Sequence, residues 1–145
     1  MNAHLEVADL VRMLAQGDRE AVDLVLTEIS RSGWRNAEVV IAATFGLAVN
    51  LRFPDGAVSP ADVARFAAEA HSHYPAAGSA SVADVESMIQ AALGKPDRAD
   101  HIAAELAARI QTAVLDKFLR DSGPTEAELE TFLGQAEEAA APYLT

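Results

Sequence analysis

Four histidines are the side chains best equipped for chemistry in this 145-residue sequence. Imidazole titrates near neutral pH and ligates divalent metals, so His71 and His73 are the first candidates for a metal pair. Residues two apart on a helix point to nearly opposite sides, and these two would converge only if the helix frayed ahead of Pro75. A histidine near a helix C-terminus is also favoured by the dipole without any ligand. A di-iron bundle would need Glu-x-x-His, and no histidine here has a glutamate three residues before it. No metal or other cofactor is therefore assigned, and His71 and His73 stand as weak candidates. His101 belongs to a four-residue spacing with Asp97, Glu105 and Arg109. That spacing fits a solvated helix face with i,i+4 pairs better than a titratable cluster.

Nucleophilic catalysis finds little support. There is no cysteine, hence no thiolate nucleophile, thiolate metal site or disulfide. Gly-x-Ser-x-Gly, His-Glu-x-x-His, the P-loop and Gly-x-Gly-x-x-Gly are all missing. Most serines and threonines stand where helices begin, and capping accounts for them. Arg31, Trp34 and Arg35 form one basic and aromatic cluster. A helix start with two arginines could hold an anion, because free N–H groups and the dipole converge there. As a DNA reader the following segment fails, since it turns apolar directly after Asn36.

Charge gives a stronger indication. Eleven basic against 22 acidic residues leave a net charge of −11, which disfavours nucleic acid and anionic membranes. The last 25 residues hold six acids, Asp121, Glu126, Glu128, Glu130, Glu137 and Glu138, and no base. Glu126, Glu130, Glu137 and Glu138 are accordingly a candidate surface for a protein partner with a basic face. The first residues lack the basic and apolar regions of a secretion signal, so a cytoplasmic location is expected. The most apolar stretch, Ala37 to Leu51, is interrupted by Glu38, Thr44 and Asn50 and is too short for a membrane span.

The elements that must position these groups are helices. Thirty-one alanines favour closely packed helices and disfavour sheet. The first helix is expected from His4 to Gln16, stopped by Gly17, and the second from its Asp18 cap to Ser30, broken at Ser32-Gly33. The third, Trp34 to Leu51, is apolar nearly all round and should be surrounded by the others. Pro54-Asp55-Gly56 reads as a turn. Ser59-Pro60 opens a fourth helix ending near Tyr74, and Pro75 to Ser81 reads as a linker. Ser81 caps a fifth helix to Leu93. The sixth, Asp97 to Arg120, carries the seam Ile102, Leu106, Ile110, Val114, broadened by Leu115, Phe118 and Leu119, so its far end should be buried on more than one side. Thr125 with Glu128 makes a capping box for a seventh. The shared pattern at Ser59, Ser81 and Thr125 fits common capping chemistry better than duplication.

Within the third helix, Ala42 and Gly46 leave a shallow groove suited to a close helix crossing, inside the chain or with a second copy, in which case Gly46→Leu should destabilise. The expectation is one all-α domain, residues 1–145, a compact bundle of six or seven helices around the third. The leading functional expectation is a non-catalytic interaction or regulatory module using its acidic surface, with a homodimer also considered. The alternative is a small-molecule-binding bundle with an apolar pocket near Phe45, Phe66 and Trp34.

Overall fold

The computed structural model describes residues 3–18, 20–22, 24, 27, 35–54, 59–73 and 81–143. It is an all-α bundle with no strand among those residues. Six α-helices have described bounds: α1 (Ala3–Gln16), α2 (Arg35–Arg52), α3 (Pro60–His73), α4 (Val82–Ala92), α5 (Ala104–Ser122) and α6 (Glu126–Ala140). Short 3-10 turns follow at Pro96–Ala99 and Ala141–Tyr143. The helix expected second is described only at 20–22, 24 and 27, all helical. The break at Ser32-Gly33, the Asp55-Gly56 turn and the linker from Pro75 to Ala80 lie outside the described residues.

Local chemistry sets the helix ends as expected. The Ala21 N–H donates to Asp18 Oδ1 at 3.1 Å, and the Ala61 N–H donates to Ser59 Oγ at 3.2 Å ahead of Pro60. Ser81 and Asp84 form a reciprocal capping box on α4, and Thr125 and Glu128 form one on α6. Each box satisfies backbone donors that the first helical turn leaves without intrahelical partners.

The sixth expected helix departs from its reading. The chain from Pro96 to Ala99 winds as a 3-10 turn, closed by Asp100 N–H to Asp97 O at 3.2 Å and Ile102 N–H to Ala99 O at 3.0 Å. The α-helix starts only at Ala104. Asp97, His101, Glu105 and Arg109 therefore do not share one helix face, since that tighter winding intervenes.

The interior falls into two clusters. The first gathers Leu10, Val11 and Leu14 of α1, Val40, Ile41 and Ala48 of α2, Ala113, Leu115 and Leu119 of α5, and Phe132 and Leu133 of α6. The second gathers Phe45, Val49 and Phe53 of α2, Val63, Phe66 and Ala67 of α3, Val85, Met88 and Ile89 of α4, and Ile110 and Val114 of α5. Helices α2 and α5 thus form a middle layer with α1 and α6 on one side and α3 and α4 on the other. The centre is shared, rather than belonging to α2 alone. Residues 110 to 117 of α5 are buried without interruption, whereas α2 keeps Ala42, Asn50, Leu51 and Arg52 exposed.

At the groove expected from Ala42 and Gly46, no close approach is seen among the described residues. A Cβ added at Gly46 would meet nothing within 4 Å, and Ala42 is exposed. Among the described residues, α2 meets its neighbours through larger side chains such as Ile41, Phe45 and Val49.

Candidate interaction surface

Helix α6 starts at the turn that ends α5. Gly123 adopts φ +52°, a left-handed conformation that costs little without a Cβ, and its N–H donates to Leu119 O at 3.0 Å. Phe132, Leu133, Ala136 and Ala140 of α6 then face the interior, which turns its acids outward. Glu126, Glu130, Glu137 and Glu138 are all exposed.

These acids are not equivalent. Glu130 accepts from Arg12 of α1 at 3.1 and 3.3 Å, through both carboxylate oxygens. The hydrogen bond to Glu130 is the main reason the Arg12 guanidinium is held above its ordinary pKa. Glu128 Oε1 accepts the Thr125 N–H at 2.9 Å, and this backbone bond holds the Glu128 carboxyl below its ordinary range. Glu126 and Glu138 make no ion pair among the described residues. The acidic face therefore combines groups engaged within the chain with exposed groups that make no ion pair among the described residues.

Beside this face lies an open apolar cleft of about 430 Å³. Its walls come from Leu51 at the end of α2, Phe118 and Leu119 at the end of α5, and Leu129 and Phe132 of α6, with Glu128 on its lining. Phe118 and Phe132 meet at 5.6 Å between ring centroids. Leu51 is 53% exposed, an apolar side chain that the fold leaves in water. This cleft is separate from the pocket expected near Phe45, Phe66 and Trp34, whose surroundings are described only in part. Phe45 and Phe66 are packed in the second core cluster, and Trp34 lies outside the described residues.

A second cluster, on the other side of α5, was not foreseen. The ammonium of Lys117 donates to Glu69 Oε2 of α3 at 2.7 Å and to Asp121 Oδ2 at 2.8 Å. It stands 5.1 Å from the Phe66 ring centroid, over which Arg52 also lies. Next to it in the chain, buried Asp116 accepts from Arg120 at 2.8 and 3.1 Å. Burial pulls the Lys117 amine toward its neutral form, but the bonds to Asp121 and Glu69 outweigh it and keep its pKa raised. An amine held protonated in this way is a poor nucleophile, and the cluster acts as an ionic tie between α3 and α5. Its signal in the sequence is the paired i,i+4 spacing Asp116–Arg120 and Lys117–Asp121; the third partner, Glu69, is 48 residues from Lys117 and could not be read.

Among the described residues no three His, Asp or Glu side chains converge as a metal set. His71 is half-buried on α3, and the side chain of His73 lies outside the described residues. His101 sits in the turn before α5, with Nε2 3.4 Å from Asp84 Oδ1. The anion candidates Arg31 and Trp34 fall outside the described residues, as does the side chain of Arg35. No described helix is long and apolar enough to cross a membrane. No family model, curated protein or solved structure matches the chain.

Proposed function

We propose that this chain is a non-catalytic helical interaction module that recruits a protein partner with a basic surface through α6. The observation that carries this reading is the segregation of charge: residues 121–145 hold six acids and no base, and Glu126 and Glu138 stand exposed on α6. A one-signed surface of this kind speeds encounter with an oppositely charged protein and loses that advantage as salt rises. The buried ionic groups of α5 are committed to Glu69 and to one another, whereas Glu126 and Glu138 of α6 make no ion pair among the described residues.

The test is retention on the immobilised chain at low salt. Wild type should hold a basic protein, identified by mass spectrometry, that elutes as salt rises. The variant Glu126→Gln/Glu138→Gln should hold markedly less of it. Equal retention by both chains at every salt concentration contradicts the reading.

A second reading, binding of a small apolar molecule, draws support from the cleft, whose volume lies within the roughly 300–1,000 Å³ range of ligand pockets. Saturable binding of an uncharged apolar dye that Leu51→Glu abolishes would favour it.

A further inference from the structure

We infer that the cleft between α2, α5 and α6 is a docking groove for one amphipathic, basic α-helix of a partner protein, an inference that rests on α6 being the recruiting surface. The α6 residues lining the cleft run from Ala127 to Gln135, about 12 Å at the α-helical rise. That length seats about two turns of a bound helix, whose anchors fall at i, i+3 or i+4, and i+7.

The chemistry of the walls points the same way. Leu51, Phe118, Leu129 and Phe132 offer apolar surface to anchors of the same kind. The hydroxyls of Ser122 and Thr131, which also line the cleft, donate to Phe118 O at 2.8 Å and Ala127 O at 3.0 Å. Both are thus committed to their own helices, which leaves Glu128 and Gln135 as the polar side chains of the lining that an occupant would meet.

Charge selects the occupant. Glu128 lines the cleft, Glu138 lies three residues beyond the lining Gln135 on the same side of α6, and that helix carries no base. Glu128 uses Oε1 for its capping bond, and Oε2 has no partner among the described residues. Lysines or arginines on the edges of a bound helix would meet these carboxylates. A second copy of this chain is a poorer occupant, because each copy carries −11 and docking would bring like charges together.

The experiment uses the full chain and a fluorescein-labelled 18-residue leucine–lysine peptide with apolar residues at i, i+3, i+4 and i+7, followed by anisotropy across a salt series. Leu51 is exposed, so Leu51→Glu should keep the fold, which circular dichroism checks. The variant adds a negative charge yet should weaken binding about tenfold, because a buried leucine contact is lost. A groove-blind electrostatic attraction would be unchanged or tightened by the same substitution. Leu51→Glu binding as tightly as wild type, while Glu126→Gln/Glu138→Gln loses the peptide, overturns the groove and leaves the acidic-surface reading standing. Equal binding of a leucine–glutamine peptide, or no binding of the lysine peptide at low salt, also overturns it. Saturable uptake of an uncharged apolar dye that the peptide cannot displace assigns the cleft to a small molecule instead.

Discussion

Lys117 of α5 donates to Glu69 of α3 across 2.7 Å, and its side chain is 7% exposed while that of Glu69 is 48% exposed. The asymmetry decides which partner matters. A freed Glu69 or Asp121 can turn to water, whereas Lys117 has its methylene stem buried and its charge dependent on those carboxylates.

Truncation of the lysine should therefore cost far more than neutralisation of the acid. Lys117→Ala removes packing and both ion pairs and should destabilise by about 2–3 kcal/mol. Lys117→Met restores the stem and should recover part of that loss. Glu69→Gln should be milder than either, because Asp121 still holds the ammonium. Urea unfolding of the three variants checks the order, and a larger loss for Glu69→Gln than for Lys117→Ala would contradict it.

Acid should destabilise the chain over a defined range. Glu69 is held low chiefly by its hydrogen bond from Lys117, Asp84 by the Ser81 backbone N–H, and Glu128 by the Thr125 backbone N–H. A carboxylate whose pKa is lower folded than unfolded contributes stability that is complete above the unfolded value and disappears as pH falls through the folded one. Stability should be nearly level from pH 7 to about 5 and should fall below about 4. Lys117, held high, acts in the opposite sense, and its contribution disappears only in strong alkali. Chemical denaturation at stepped pH checks the profile, and Asp84→Asn should make the acid limb shallower.

Two glycines should respond oppositely to the same substitution. Gly46 lies inside α2 with nothing within 4 Å of an added Cβ, so Gly46→Ala should stabilise by about 0.5–1 kcal/mol through helix propensity. Gly123 is equally uncrowded but sits at φ +52°. Gly123→Ala should cost about 1 kcal/mol for backbone reasons alone. Thermal melts of the two variants read the difference directly, and a destabilised Gly46→Ala would revive a close crossing on α2.

Much of the fold was legible where the cause is local. Asp18, Ser59, Ser81 and Thr125 start helices because a side-chain oxygen can reach a backbone N–H two or three residues on, and that reach is written in adjacent residues. The seam Ile110, Val114 and its broadening by Leu115 and Leu119 likewise announced that the far end of α5 is buried on several sides. The break after Pro96 was harder, since Asp97 to Arg109 keeps helical spacing while the backbone winds as a 3-10 turn. The candidate site was legible only in its charge. That Leu51 would stay in water while Phe45 and Phe66 close into the core depends on which helices pack beside them, a property of distant segments rather than of spacing.

Helices α2 and α5 serve both halves of the interior, so neither half can come apart while the other keeps its walls. Heat and denaturant should therefore meet a single cooperative unit, and the amides of Ile110 to Lys117 should be the last to exchange with solvent. The cleft touches Leu51 and Phe118, on the final turns of both shared helices. A molecule bound at that end should also steady the distant α3 and α4 layer without touching it.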